Sequence, residues 1–152
     1  MKIMSYILLL ICLASILSAS EKLSISVFYK EKKPSQQVLA KVDSLLNNYL
    51  DSYQVQYYNI EDTKNTAVIN ELGLPATHFP FAIVIDGKFT AEIEDKTISF
   101  IHFPLFMKGI GRHEGNWSLD DLQKVLENNK LLADENILPV LAEENEESEC
   151  ED

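Results

Sequence analysis

The sequence predicts an α/β protein, a three-layer α/β/α sandwich with a mixed central sheet and an extended loop before its last helix. Three observations predict it. Apolar or alternating runs at 23–29, 53–60 and 81–85 read as strands, and amphipathic stripes fall between and after them. Asp86-Gly87 follows the third run as a two-residue hairpin signal. Strands joined through helices are parallel neighbours with right-handed crossovers, whereas hairpin strands are antiparallel, so the sheet must be mixed.

Leu23-Ser24-Ile25-Ser26-Val27 alternates apolar and polar and continues into Phe28-Tyr29, a strand entering a core. Val38, Leu39, Val42, Leu45, Leu46, Tyr49 and Leu50 recur at spacings of three and four. They make one broad stripe on a helix of about four turns. Pro34 suits the first turn of that helix, where a missing N–H costs nothing. Tyr53, Val55 and Tyr57 alternate again, and Tyr58 and Ile60 extend the second strand.

Asp62 or Thr63 is placed to cap a shorter helix carrying Ala67, Val68, Ile69 and Leu72. Gly73 fits its C′ position, and Pro75 blocks continuation. Phe81 to Ile85 is a compact apolar strand, and Lys88 to Ile93 is expected to return as its hairpin partner. Glu94-Asp95-Lys96 turns the chain once more, and 97–103 is a candidate further strand. Residues 104–115 are irregular and Gly-rich. Ser118 opens a Ser-x-x-Asp capping pattern with Asp121, and Leu119, Leu122, Val125 and Leu126 form the buried face of the last helix. Asn128-Asn129 ends it. Residues 137–141 either pack back on the body or lead into the tail.

The ends read differently from the body. Met1-Lys2 precedes an apolar run from Ile3 to Leu17 broken only by Ser5 and Ser15, and Ser18-Ala19-Ser20 supplies small residues. That is the layout of a secretory signal peptide over 1–20, with cleavage expected after Ser20. The run falls short of the ~20 residues of a spanning helix, so a membrane is a partner only if the segment stays uncleaved. Residues 21–142 form the domain, and 143–152 are an acidic, disordered tail with seven acidic residues and no basic one. The expected location is exported, either secreted or periplasmic.

Of two cysteines, Cys12 leaves with the leader and Cys150 stays. No intramolecular disulfide is then possible, although Cys150 remains open to an intermolecular one. Its acidic neighbours disfavour the thiolate and argue against a catalytic thiol. The formal net charge is −11, of which 21–142 carries −5 once Lys2 and the tail are set aside. Nucleic acid is therefore excluded as a partner, since phosphate neutralisation needs clustered Lys and Arg.

Two local patterns carry a family resemblance. Phe28-Tyr29 is followed by Lys32-Lys33-Pro34-Ser35 at the opening of the first helix, and Thr77-His78-Phe79-Pro80 leads into 81–85 and Asp86-Gly87-Lys88. Over about Leu23 to Asn128 the chain resembles the thioredoxin-like fold family, in which an aromatic strand end precedes Cys-Gly-Pro-Cys and a cis-proline precedes an apolar hairpin strand. The resemblance implies that Lys32, Lys33, Pro34 and Ser35 occupy the place of the dithiol and that Pro80 is the cis-proline. It departs from the family in lacking both cysteines, so dithiol–disulfide exchange is not expected. The stretch 94–116 is longer than the family's connection to its last helix, and the resemblance places it beside Pro80.

These features suggest a redox-inactive exported domain that binds a protein or peptide. The surface would be the cis-proline groove and the 100–117 loop. Phe79 and Pro80 would shape the backbone, Phe103, Phe106 and Met107 would give apolar contact, and Arg112 and His113 polar contact. The apolar crowd over 100–110 is either such a patch or an insertion packed on its own domain. Arg112 also suits a carboxylate. Lys30, Lys32 and Lys33 before the helix are either an anion site or a solvated basic turn. No cofactor and no metal are expected, because His78, His102 and His113 have no local ligand spacing. The alternative is an oxidoreductase- or transferase-like enzyme using Lys32, Ser35, His78 and His113 on a small molecule.

Overall fold

A computed structural model describes residues 22–75, 79–107, 109 and 113–139. The expected leader over 1–20, the acidic stretch 143–152, both cysteines, His78 and Arg112 lie outside the described residues.

Strand β1 (Leu23–Tyr29) sits in the middle of the sheet. It pairs in parallel with β2 (Tyr53–Asn59) and antiparallel with β3 (Phe81–Ile85), giving the order β2-β1-β3. Helix α1 (Lys33–Leu46) makes the first crossover. Val38, Val42 and Leu46 are buried one turn apart, as a single stripe requires. The stripe outruns the helix. After Asn47 the bonds tighten to Asn48 N–Leu45 O and Tyr49 N–Leu46 O, and Leu50 is left 45% exposed. Helix α2 (Thr66–Glu71) joins β2 to β3, which lies beyond β1 and runs antiparallel to it, so these two helix-joined strands are not the parallel neighbours that the sequence predicts. Asp62 caps the 3₁₀ turn before it by accepting from Lys64 N, and Gly73 follows at φ 68°.

Asp86 and Gly87 both adopt positive φ, the pattern of a two-residue hairpin turn, with Ile85 and Lys88 exchanging both backbone bonds. Beyond Lys88 the expected pairing does not continue. Strand β4 (Thr90–Ile93) pairs with β5 (Lys96–Ser99) in a separate two-stranded sheet. The place beside β3 is taken by the continuation of β5. Ile83 N donates to Phe100 O, His102 N donates to Phe81 O, and Ala82 bridges Ile101. The reason is a second tight turn at Glu94-Asp95, both at positive φ, which returns a strand long enough to serve both neighbours.

The strands alternate between two cores. Ile25, Val27, Phe81, Ile83 and Ile85 face α1 and α3 (Leu119–Glu127), together with Ala91, Ile93, Ile98, Phe100 and Trp117. Phe28, Ala82 and Val84 face the other way with Ile69, Leu74, Phe79, Phe89 and Ile101. Every residue of β3 is buried, because both its faces are covered. Each such large side chain contributes about 1.5–3 kcal/mol on removal from water. The capping box of α3 forms as expected, Ser118 Oγ accepting from Asp121 N while the Asp121 carboxylate accepts from Ser118 N. After α3 the chain runs back along β4, where Ala133 N donates to Thr90 O and Ile137 N to Thr90 Oγ1. Ile137 and Leu138 themselves remain exposed. The protein is thus a mixed α/β fold with a mixed sheet and three α-helices among the described residues.

Candidate functional site

The N-terminus of α1 is built around one buried hydroxyl. Lys32 is extended, Pro34 occupies the first turn, and Ser35 is turned inward. Ser35 Oγ donates to Pro80 O at 2.9 Å in a buried position. The two segments singled out in the sequence, Lys32–Ser35 and Phe79–Pro80, therefore meet. A hydroxyl committed in this way is not presented to a substrate, and Lys32 instead reaches Glu61 at 3.3 Å. Both partners of that ion pair are well exposed, so it contributes about 0–1 kcal/mol at most. No side chain caps α1, and Lys33 is exposed.

Pro80 departs from expectation. Among the described residues no peptide bond is cis, so the Phe79–Pro80 bond is trans. Trans is the preferred X–Pro geometry by about 0.5–1 kcal/mol, and in it the Pro80 carbonyl reaches the Ser35 hydroxyl. Phe79 and Pro80 are also buried, Phe79 in the second core. They do not line an open groove, because the entry to a strand covered on both faces is covered with it.

The 100–117 segment does border this region, since His102 pairs with Phe81. It closes on itself. Phe103 N donates to His113 O, Gly115 N to Phe103 O, and Leu105 N to Trp117 O. Trp117 is wholly buried, stacks at an edge on Phe100 at 5.7 Å, and donates Nε1–H to His102 O at 3.1 Å. Asn116 ties the loop to β5, accepting from Ser99 N and donating to Thr97 O. Gly115 leaves no room for a side chain: a Cβ there would lie 2.6 Å from Ile101 O and 2.8 Å from Phe103 O.

The expected apolar contacts divide accordingly. Phe103 is only 3% exposed and belongs to the main core, which corrects its reading as a surface residue. Met107 is half-buried against the same core. Leu105 and Phe106 are 40% and 42% exposed on a 3₁₀ turn, Leu105–Met107. Lys41 of α1 holds its ammonium 4.7 Å from the centre of the Phe106 ring. Nothing in the sequence pointed to Lys41, which lies 65 residues from Phe106 and meets it only through folding.

Two histidines meet as well. His102 and His113 place their ring centres 5.6 Å apart. His102 sits at φ 68°, is 3% exposed, and its Nδ1 has no hydrogen-bond partner. Burial, and secondarily the neighbouring His113, push its pKa down to about 4, so it is neutral near pH 7. Among the described residues no three His, Cys, Asp or Glu side chains converge as a metal group would require. Among the described residues no helix is long and apolar enough to cross a membrane.

Comparison with known proteins finds no family model that matches this chain, and no curated protein or solved structure that matches it significantly.

Proposed function

We propose that the chain is an exported, redox-inactive, thioredoxin-like domain that binds a protein or peptide partner through the turn at Leu105–Phe106. The strand order β2-β1-β3, with one parallel and one antiparallel neighbour for β1, supports the thioredoxin-like arrangement. So does the meeting of the α1 N-terminus with Pro80. Lys32 and Ser35 in place of a dithiol support redox inactivity. The apolar leader supports export.

With Phe79, Pro80 and Phe103 buried, the observation that carries the binding reading is the exposed pair Leu105 and Phe106. Their turn is anchored on both sides, by Phe103 and Met107 in the core and by the Leu105–Trp117 backbone bond. A preformed apolar knob loses little conformational freedom on binding, which favours affinity. The Lys41 ammonium beside Phe106 suits a partner that brings a carboxylate next to an apolar side chain.

The test is retention of partners from an extract of exported proteins on the immobilised chain. A specific partner should be held by the wild type and by Gln37→Asp, a control on the exposed surface of α1. Phe106→Asp should weaken it by about tenfold or more, as loss of an apolar anchor does. Retention unchanged by Phe106→Asp, or no retention at all, refutes the reading.

A further inference from the structure

Strand β2 is the edge of its sheet, and its free side is unusually unguarded. Sheet edges are ordinarily blunted by charge, proline or a bulge, because their open N–H and C=O groups invite another strand. Residues 52–60 read Ser-Tyr-Gln-Val-Gln-Tyr-Tyr-Asn-Ile, without a charge or a proline. All seven residues of β2 stay in unbroken register with β1, from Leu23↔Tyr53 to Tyr29↔Asn59.

Backbone parity tells which groups face outward. In a parallel ladder a residue's N–H and C=O point to one side, and alternate residues point to opposite sides. Ile60 N donates to Tyr29 O, so the even-numbered residues face β1 and the odd-numbered ones face away. Two of the outward residues are partly used. Tyr53 N donates to Tyr49 O, and Asn59 O accepts from Asp62 N and from Asn65 Nδ2. Val55 and Tyr57 remain, and among the described residues no other backbone bond reaches them.

We infer that this edge pairs with the same edge of a second copy, antiparallel about a two-fold axis through Gln56. It is the register in which both open residues are used: Val55 of one copy exchanges N–H and C=O with Tyr57 of the other, and the reverse. Such an interface is isologous and closes at two copies. It sets Tyr57 opposite Val55 twice, an aromatic–β-branched pair of the kind that stabilises neighbouring strands. Tyr57 is 47% exposed without it. Gln56 falls opposite itself; its Oε1 already accepts from the Tyr58 hydroxyl, which leaves one lone pair and the amide N–H₂ to meet the other copy.

Charge permits the approach. The chain as a whole is strongly acidic, but the meeting strands are neutral; of the carboxylates beside them, Glu61 is paired with Lys32, and Asp43 of α1 faces the Tyr57 side chain. One strand edge buries less than the ~800 Å² per partner of a standard stable interface, so the association depends on concentration. The edge lies on the far side of β1 from β3 and the 100–107 segment, so a partner at Phe106 and a second copy at β2 are independent.

The test is analytical ultracentrifugation of the full chain over a dilution series. The expected result is a mass moving between one and two copies. Gln56→Lys places two ammonium groups face to face and should weaken the dimer by about fivefold, as should Gln56→Glu. Mixing those two variants should restore a one-to-one dimer. Gln56 is exposed, so neither change threatens the fold. Val55→Pro, which removes an outward N–H from each copy, should abolish pairing in a protein whose circular dichroism confirms folding. A single-copy mass at all concentrations, assembly beyond two copies, or a dimer indifferent to these changes would overturn the inference.

Discussion

Acidification should destabilise this protein through one side chain, His102. The ring is 3% exposed, its Nδ1 has no partner, and His113 lies 5.6 Å away. Burial disfavours the charged form, and a second imidazole nearby disfavours it further, which together push the pKa down to about 4. In the unfolded chain the same ring titrates near its usual value of about 6.5. Between those values the unfolded state holds the proton and the folded state does not, so stability rises with pH across the window. The contribution is complete above the unfolded pKa, is lost progressively as pH falls toward about 4, and changes no further below that. A difference of about 2.5 pKa units corresponds to roughly 3 kcal/mol.

Carboxylates also titrate in this range, so the measurement must be a difference. His102→Asn removes the titration and keeps a residue tolerant of the positive φ found there. Urea unfolding of both proteins from neutral pH down to about pH 4 should show the wild type losing roughly 3 kcal/mol more than the variant. Parallel pH profiles, or a His102 imidazole resonance that titrates near its ordinary value, would refute the reasoning.

Two further substitutions probe the same neighbourhood. Ser35→Ala leaves the buried Pro80 carbonyl without its donor and should cost about 1–3 kcal/mol by denaturant unfolding; a loss within about 0.5 kcal/mol would mean that the bond does not hold α1 to β3. Gly115→Ala drives a methyl against the Ile101 and Phe103 carbonyls, backbone atoms that cannot step aside. It should cost about 1–3 kcal/mol, lower the melting temperature and shift the resonances of His102 and His113, whose ring centres lie 5.6 Å apart beside it, whereas a neutral result would contradict the packing of the loop.

Much of the fold was legible because local patterns and tertiary demands agree. The Val38–Val42–Leu46 stripe, the Asp86-Gly87 turn and the Ser118–Asp121 box each carry their own physical reason within a few residues, and each is found. The partner of β3 was not legible. Both 88–93 and 97–103 have strand character, and the choice turned on backbone bonds between Ile83 and Phe100 that no local signal records. The bond before Pro80 was misjudged for a related reason. Both isomers are cheap for X–Pro, so the surroundings decide, and here the Ser35 hydroxyl meets the carbonyl of the trans form. Phe103 and Phe106 look alike in sequence, yet one is in the core and the other at the surface.

Residue spacing and identity by themselves determined where the helices and most strands run and that no cysteine stands at 32 or 35. The sheet is mixed because β3 runs antiparallel to β1, a pairing that residue spacing did not indicate. Tertiary structure alone decided that Ser35 closes onto Pro80, that Lys41 stands over Phe106, that His102 is buried beside His113, and that β2 is left as an open edge. The division has a physical cause. Periodicity and turn chemistry act over a handful of neighbouring residues, whereas burial and contact are set by which distant segments come to share a face.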